Sequence, residues 1–349
     1  MEERTDYENQ ALALIGQIAV SEAMWVALRA HFLPWTAQGG TSALKEIADD
    51  PAKAIDMVAE AAITRVLTAA TRTPDTPLAR GCLVITEERA LFPLANPSGE
   101  INEDLLVFVD PVDFTAAACR GLDGSVLISF YEMNTGFRAA VVGDIYRRRL
   151  YTRRQGRKSE GMSVMFNQDP LRFLGSRNLN LETPTGAPMD LHTSGRESLE
   201  EASVNIFLGK RDRLIKAATE GSTLWNWENK DQQPNGERGV KEIFSVGGSL
   251  GPVRVAEGTW DASVEIVKGF RTWDFAPGAF IAEGAGAAVV DLKGQRISFD
   301  TIPQMKAWRS QRFTKDALDA TRQKFIVAAT DKLAQQIVSV LAQHNASKT

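Results

Sequence analysis

Residues 105–115 read Leu-Leu-Val-Phe-Val-Asp-Pro-Val-Asp-Phe-Thr, an order that few local structures can satisfy. The apolar run Leu105 to Val109 has the length and branched content of a buried strand. It ends on Asp110, followed by Pro111, Asp113 and Thr115. Proline cannot donate to a central sheet ladder, so a turn is predicted at Pro111. Two acids three residues apart on one tight turn can point at a common centre. Thr115 then opens the small-residue run Ala116 to Arg120, read as a helix whose first-turn amides face the same centre. Carboxylates gather cations and amides gather phosphate oxygens, so the stretch points to a metal-dependent phosphoryl site. The plainer alternative is a strand, turn and helix with a solvated acidic corner.

Two further stretches weigh on that choice. Upstream, Leu83-Val84-Ile85 runs into Thr86-Glu87-Glu88, a second buried strand ending in acids. Downstream, Trp273-Asp274-Phe275-Ala276-Pro277-Gly278 places an acid just before a small-residue helix. Together these resemble the inositol monophosphatase family of lithium-sensitive, magnesium-dependent phosphatases, which is grouped with the fructose-1,6-bisphosphatases. The family pattern is Gly-Glu-Glu, then Asp-Pro-Ile/Leu-Asp-Gly-Thr, then Trp-Asp-x-Ala-x-Gly. The resemblance covers roughly Leu44 to Asp291 and is weakest between about Met162 and Arg238.

The length of 349 residues suits two compact units. They are expected as an N-terminal α+β domain, 1–158, carrying most metal ligands, and a C-terminal α/β domain, 159–349, carrying substrate-selecting segments and Trp273-Asp274. A net charge of −4 with mixed signs argues against a nucleic-acid or membrane-surface footprint. Cys82 and Cys119 make neither a disulfide framework nor a zinc pattern. No apolar stretch is read as approaching the ~20 residues of a membrane span. Met1-Glu2-Glu3-Arg4 lacks the basic start of a signal peptide, and a cytoplasmic enzyme is expected.

Along the chain, Asn9 to Phe32 reads as an amphipathic helix stopped by Pro34, and Ala54 to Ala69 as a second. Ser125 to Glu132 and Phe137 to Arg147 alternate like paired strands around Asn134-Thr135-Gly136. Arg147, Arg148, Arg149, Arg153, Arg154 and Arg157 form one basic cluster, either a solvated hairpin face or a grip on an extra anionic group. Ser159 to Arg238 turns polar, with Trp225 and Trp227 either pinning a loop or lining a pocket. Ala288 to Leu292 and Arg296 to Phe299 read as strands, and Asp316 to Gln343 as a long C-terminal helix. The expected fold is a layered α-β-α-β-α sandwich of the inositol monophosphatase and fructose-1,6-bisphosphatase type, with the site between the halves.

The remaining assignments are what the resemblance implies. Glu87, Asp110, Asp113 and Asp274 would be metal ligands, with the Val112 carbonyl completing one sphere. Thr115 would orient the nucleophilic water, supported by Glu87 and Asp56. The Phe114 and Thr115 amides, Gly247-Gly248-Ser249 and Glu265 would contact substrate. The cofactor would be Mg2+, two or three ions, with Mn2+ possible and lithium inhibitory. The substrate would be a small phosphorylated metabolite (cyclitol, sugar or nucleotide-like phosphate), and the enzyme a homodimer. The three histidines, His31, His192 and His344, are scattered and have no metal-ligand spacing. Two departures stand out. Ala52-Lys53 stands where the family has Val-Thr ahead of Asp56, and Phe114 replaces the Gly before Thr115, where Gly would allow close approach and unusual dihedrals. The Phe114 ring would narrow the substrate range, supply a stacking surface, or spoil activity. The alternative function is a catalytically weak or inactive relative that binds a phosphorylated ligand or serves as a partner subunit.

Overall fold

A computed structural model of the chain describes residues 2–36, 51–119, 121–164, 187–207, 215, 240–245, 248–299 and 322–346. These residues divide into two units, one up to residue 189 and the other formed by 190–299 with 322–346.

The first unit opens with two helices, α1 (Glu2–Thr36) and α2 (Pro51–Thr71). α1 starts seven residues before its predicted start. Pro34 does not stop it: a proline this close to the end removes one amide bond and leaves the last residues helical. Strands β1 (Cys82–Thr86), β2 (Ala90–Leu94), β3 (Leu105–Asp113), β4 (Ser125–Glu132), β5 (Gly136–Asp144), β6 (Arg149–Arg154), β7 (Glu160–Ser163) and β8 (Met189–Asp190) form one sheet. Its order is β2-β1-β3-β4-β5-β6-β7-β8. Only β1 and β3 pair in parallel among the paired strands from β1 to β7. β2 was not anticipated. It lies at the sheet edge, the position in a sheet where a proline such as Pro93 is tolerated.

One stripe of α1 (Leu12, Ala19, Val20, Ala23, Met24) and one of α2 (Ile55, Ala59, Ile63, Leu67) bury against Val107, Val109, Ile128, Phe130 and Val141 of the sheet. Residues Thr5–Leu28 of α1 are also long and apolar enough to cross a membrane, with a mean hydropathy of 1.7. That corrects the expectation that no stretch comes near such a span. In this fold 56% of the window is buried, as befits a core helix. α1 packs tightly on the sheet at Gly143, where an added Cβ would lie 2.5 Å from Val20 Cγ1 and nearer still to Met24 Sδ. Gly143→Ala is therefore expected to destabilise the fold by about 1–3 kcal/mol through overpacking, measured by urea melts. Equal stability of the two proteins would show that the helix can shift at no cost.

Polar contacts fix the N-terminal end of α1. The guanidinium of buried Arg138 donates to Asn9 Oδ1, to Glu132 Oε2 and, at 3.2 Å, to Glu8 Oε2. Two members of the predicted basic cluster answer to the same helix. Arg157 donates to Asp6 at 2.6 Å, and Arg154 lies 3.7 Å from it.

In the second unit β9 (Ser203–Ile206), β10 (Glu242–Phe244), β11 (Ala262–Phe270), β12 (Ala288–Val290) and β13 (Gln323–Ala328) form a mixed sheet of order β10-β9-β11-β13-β12. β13 corrects the predicted helix from Asp316 to Gln343, of which 316–321 lie outside the described residues. Phe325-Ile326-Val327-Ala328 is a continuous apolar run buried between β11 and β12, and the helix, α6, starts only at Asp331 and ends at Ala346. Arg296 makes a single bridge to Val290 in place of the predicted strand to Phe299. Leu333, Ala334, Ile337 and Leu341 of α6 bury against Val204, Val264, Val290 and Ile326. Two further helices of this unit are α4 (Leu250–Ala256) and α5 (Thr272–Gly284). α4 meets the sheet at Ser263, whose Oγ an added Cβ on Gly251 would strike. Ser263 alternates with Ala262 and Val264, so α4 lies on the sheet face opposite α6. Trp225 and Trp227 lie outside the described residues.

Candidate metal centre

β3 does not turn at Pro111 as predicted; it runs on to Asp113. The reason lies in its pairing. Asp110 opposes Leu127 of β4 and Asp113 opposes Ser125, so three steps on β3 match two on β4. That is a bulge of one extra residue, and the ladder is broken where Pro111 has no N–H to give. The bulge also changes which way the acids face. In a regular strand residues three apart point to opposite faces. With one residue taken out of register, Asp110 and Asp113 fall on the same face as Ser125 and Leu127.

Asp110 is 1% exposed and Asp113 half-buried. β1 runs parallel to β3, so its C-terminal end arrives beside Val109 and delivers Glu87 to the same place. A Glu87 and an Asp110 carboxylate oxygen lie within 4.8 Å of each other. Beside its apolar stripe, α2 carries near its start the half-buried acid Asp56 and the buried acid Glu60. The two are four residues apart and share a face.

Phe114 leads into a single helical turn, α3 (Thr115–Ala118). The Thr115 hydroxyl lies 2.8 Å from the Val112 carbonyl oxygen and 3.3 and 3.4 Å from the two Asp56 oxygens. It has one proton, so it can donate to one of these acceptors at a time. Burial pushes Asp56 up to about 8, helped by Glu88, Glu87 and Asp113, while the Thr115 hydroxyl pulls the other way. A protonated Asp56 can itself donate to Thr115 Oγ and leave the Thr115 proton for Val112. Four carboxylates thus act on one site, and the cheapest apo response is for one of them to keep its proton.

Phe114 holds φ 61 and ψ 39, the left-handed region that glycine enters freely. This explains the backbone need behind the family's Gly, which this chain meets with a strained Phe. Phe114→Gly and Phe114→Ala both remove the half-buried ring, but only the first also relieves the backbone. The Gly variant is expected to be more stable than the Ala variant by about 1 kcal/mol in urea melts. Equal stability would mean that no strain is stored there.

In the second unit Asp274 stands in the first turn of α5, where a carboxylate favours the helix dipole. Its Oδ2 accepts the Arg271 N–H at 3.3 Å, and the Arg271 guanidinium lies over the Trp273 ring, 5.3 Å from its centroid. Gly248 and Ser249 are buried at the start of α4, with Ser249 as its cap, and Gly247 lies outside the described residues. Glu265 is 1% exposed and has a local task. Its Oε1 accepts the N–H groups of Val267, Lys268 and Gly269 at 2.9, 2.8 and 3.1 Å, closing an irregularity in the β11–β13 ladder.

Sequence reasoning missed Glu60. It is 3% exposed, accepts the Thr86 hydroxyl at 2.8 Å, and lies 3.5 Å from Arg89 Nε. Its spacing of four from Asp56 on a helix was the available signal.

Hard oxygen donors crowded at strand ends, beside a helix turn led by threonine, suit a small divalent cation better than any soft metal. On an α+β scaffold they are the parts of a metal-dependent phosphatase. The chain belongs to the inositol monophosphatase family, whose model matches residues 9–346. Its fold is similar to that of SuhB of Mycobacterium tuberculosis, with a TM-score of 0.59, 18% identity, and coverage of 97% of this chain and 98% of that one. It is similar too to the inositol monophosphatase of Anabaena (Nostoc) sp. PCC 7120, with a TM-score of 0.59, 15% identity and 96% of each chain covered. A third likeness is to inositol monophosphatase II of Staphylococcus aureus MSSA476, with a TM-score of 0.56, 16% identity, and coverage of 95% and 96%. None of the curated protein sequences matches the chain.

Proposed function

We propose that this protein is a magnesium-dependent phosphomonoesterase acting on a small phosphorylated metabolite: a cyclitol, sugar or nucleotide-like phosphate. The observation that carries the reading is the shared face of Asp110 and Asp113 beside Glu87, created by the bulge at Pro111. In it Glu87, Asp110, Asp113 and Asp274 hold the ions, with the Val112 carbonyl as a further ligand. Bound magnesium neutralises a dianionic phosphate, acidifies a water and stabilises the leaving oxygen. Thr115 and Asp56 form the proton-bearing pair beside the reacting water, and the short path from Asp56 through Thr115 Oγ is enough to move that proton. The Phe114 and Thr115 amides and the residues Gly247, Gly248 and Ser249 are the proposed substrate contacts. Glu265, held by three amides, is the more rigid candidate for contacting substrate hydroxyls. A homodimer in the cytoplasm, with no nucleic-acid or membrane partner, completes the reading.

The test is phosphate release from a panel of cyclitol, sugar and nucleotide monophosphates, with magnesium and with chelator. Magnesium-dependent release from at least one class, and a melting temperature raised by magnesium alone, are expected. Absence of release across the panel from protein that still binds magnesium would favour a non-catalytic family member.

A further inference from the structure

We propose that Glu60 is a positioning residue for Glu87, acting through Thr86; the inference rests on the metal-binding reading above. β1 ends at Thr86 and β2 begins at its ladder partner Ala90, so Glu87, Glu88 and Arg89 make a three-residue turn. Both ends of that turn are gripped from the helix beneath. The Thr86 hydroxyl donates to Glu60 Oε1 at 2.8 Å and accepts the Arg89 N–H at 3.0 Å. Arg89 Nε stands 3.5 Å from Glu60 Oε2, and its guanidinium lies over the Phe92 ring, 5.3 Å from the centroid. Thr86 and Glu60 are 1% and 3% exposed, so water does not compete for the bond between them.

The grip has a load to carry. Glu87 faces Asp110, with carboxylate oxygens of the two within 4.8 Å of each other. Like charges so close push the turn outwards until cations arrive. A buried carboxylate at residue 60 would add to that repulsion if its charge met no partner; here it faces Arg89. The glycine of the family pattern at position 86 has no hydroxyl, so this clasp belongs to the Thr86 and Glu60 pair of this chain. Partners one step behind a ligand hold it in its binding orientation, and their removal typically weakens metal affinity by about 10–100-fold.

The experiment titrates magnesium into the full chain by calorimetry in metal-free buffer and records the metal-free melting temperature of each variant. Thr86→Val removes the hydroxyl without changing charge, Glu60→Gln keeps an acceptor for Thr86 but gives up the Arg89 partner, and Thr86→Ser restores the hydroxyl. Thr86→Val and Glu60→Gln are expected to weaken magnesium binding by about 10–100-fold, with Thr86→Ser close to wild type. Variants that melt lower yet bind magnesium like wild type would overturn the positioning role and leave the metal reading intact. A wild type that takes up no magnesium overturns both. Should Thr86→Val fail to fold, Glu60→Gln against Thr86→Ser decides by the same readout.

Discussion

Asp110→Asn is expected to reduce magnesium-dependent phosphate release by about a thousandfold or more. A metal ligand that stabilises several kcal/mol of developing charge corresponds to about three decades in rate. The substitution preserves shape and removes charge from a side chain only 1% exposed. It also takes away one of two carboxylates whose oxygens lie within 4.8 Å. The metal-free protein should therefore melt at the same temperature as wild type or higher, because a like-charge contact has been relieved. The rise in melting temperature on adding magnesium should shrink or vanish. The two readouts together separate a lost ligand from a damaged fold. A variant with normal turnover would remove Asp110 from the metal site.

The second large effect is a dependence of stability on pH. Asp56 has an ordinary carboxyl value of 3.8 and is pushed up to about 8 in the folded protein, by burial first and then by Glu88 and Glu87. Between those two values the folded state holds a proton that the unfolded state has released. The slope of unfolding free energy with pH is then negative, so this contribution is complete below about pH 4 and is lost as pH rises through 8. Its size is on the order of several kcal/mol, since each tenfold gain in proton affinity corresponds to about 1.4 kcal/mol. Burial raises Glu22 and Glu60 too, which adds in the same direction. Urea melts in chelator from pH 5 to 9 should show wild type weakening steadily, and Asp56→Asn should be visibly flatter. Parallel curves for the two proteins would show that Asp56 keeps no proton in the folded state.

The family pattern explains why so much of the chain was readable as sequence. Apolar runs ending in acids, at Ile85 to Glu87 and at Val109 to Asp110, identify strands that deliver carboxylates to one sheet end. That inference needs only local periodicity. β4 and β5 were readable for the same reason, from alternation on either side of Asn134-Thr135-Gly136. The stretch from Gln323 to Ala328 was not. Its apolar run fits a helix or a buried strand equally well, and only the presence of β11 and β12 on either side selects the strand.

At the site itself the sequence determined which acids exist and how they are spaced. It did not determine how Asp110 and Asp113 come to share a face. A turn at Pro111 was the local expectation, and the structure uses a bulge, because pairing with β4 holds the strand extended on both sides of the proline. The left-handed backbone at Phe114, the proton on Asp56 and the clasp from Glu60 to Thr86 are also tertiary results. The last two depend on α2 reaching the sheet end, where residues 59 and 26 positions apart meet. Charge and hydrogen bonding act through space, and the spacing of residues along the chain does not record those distances.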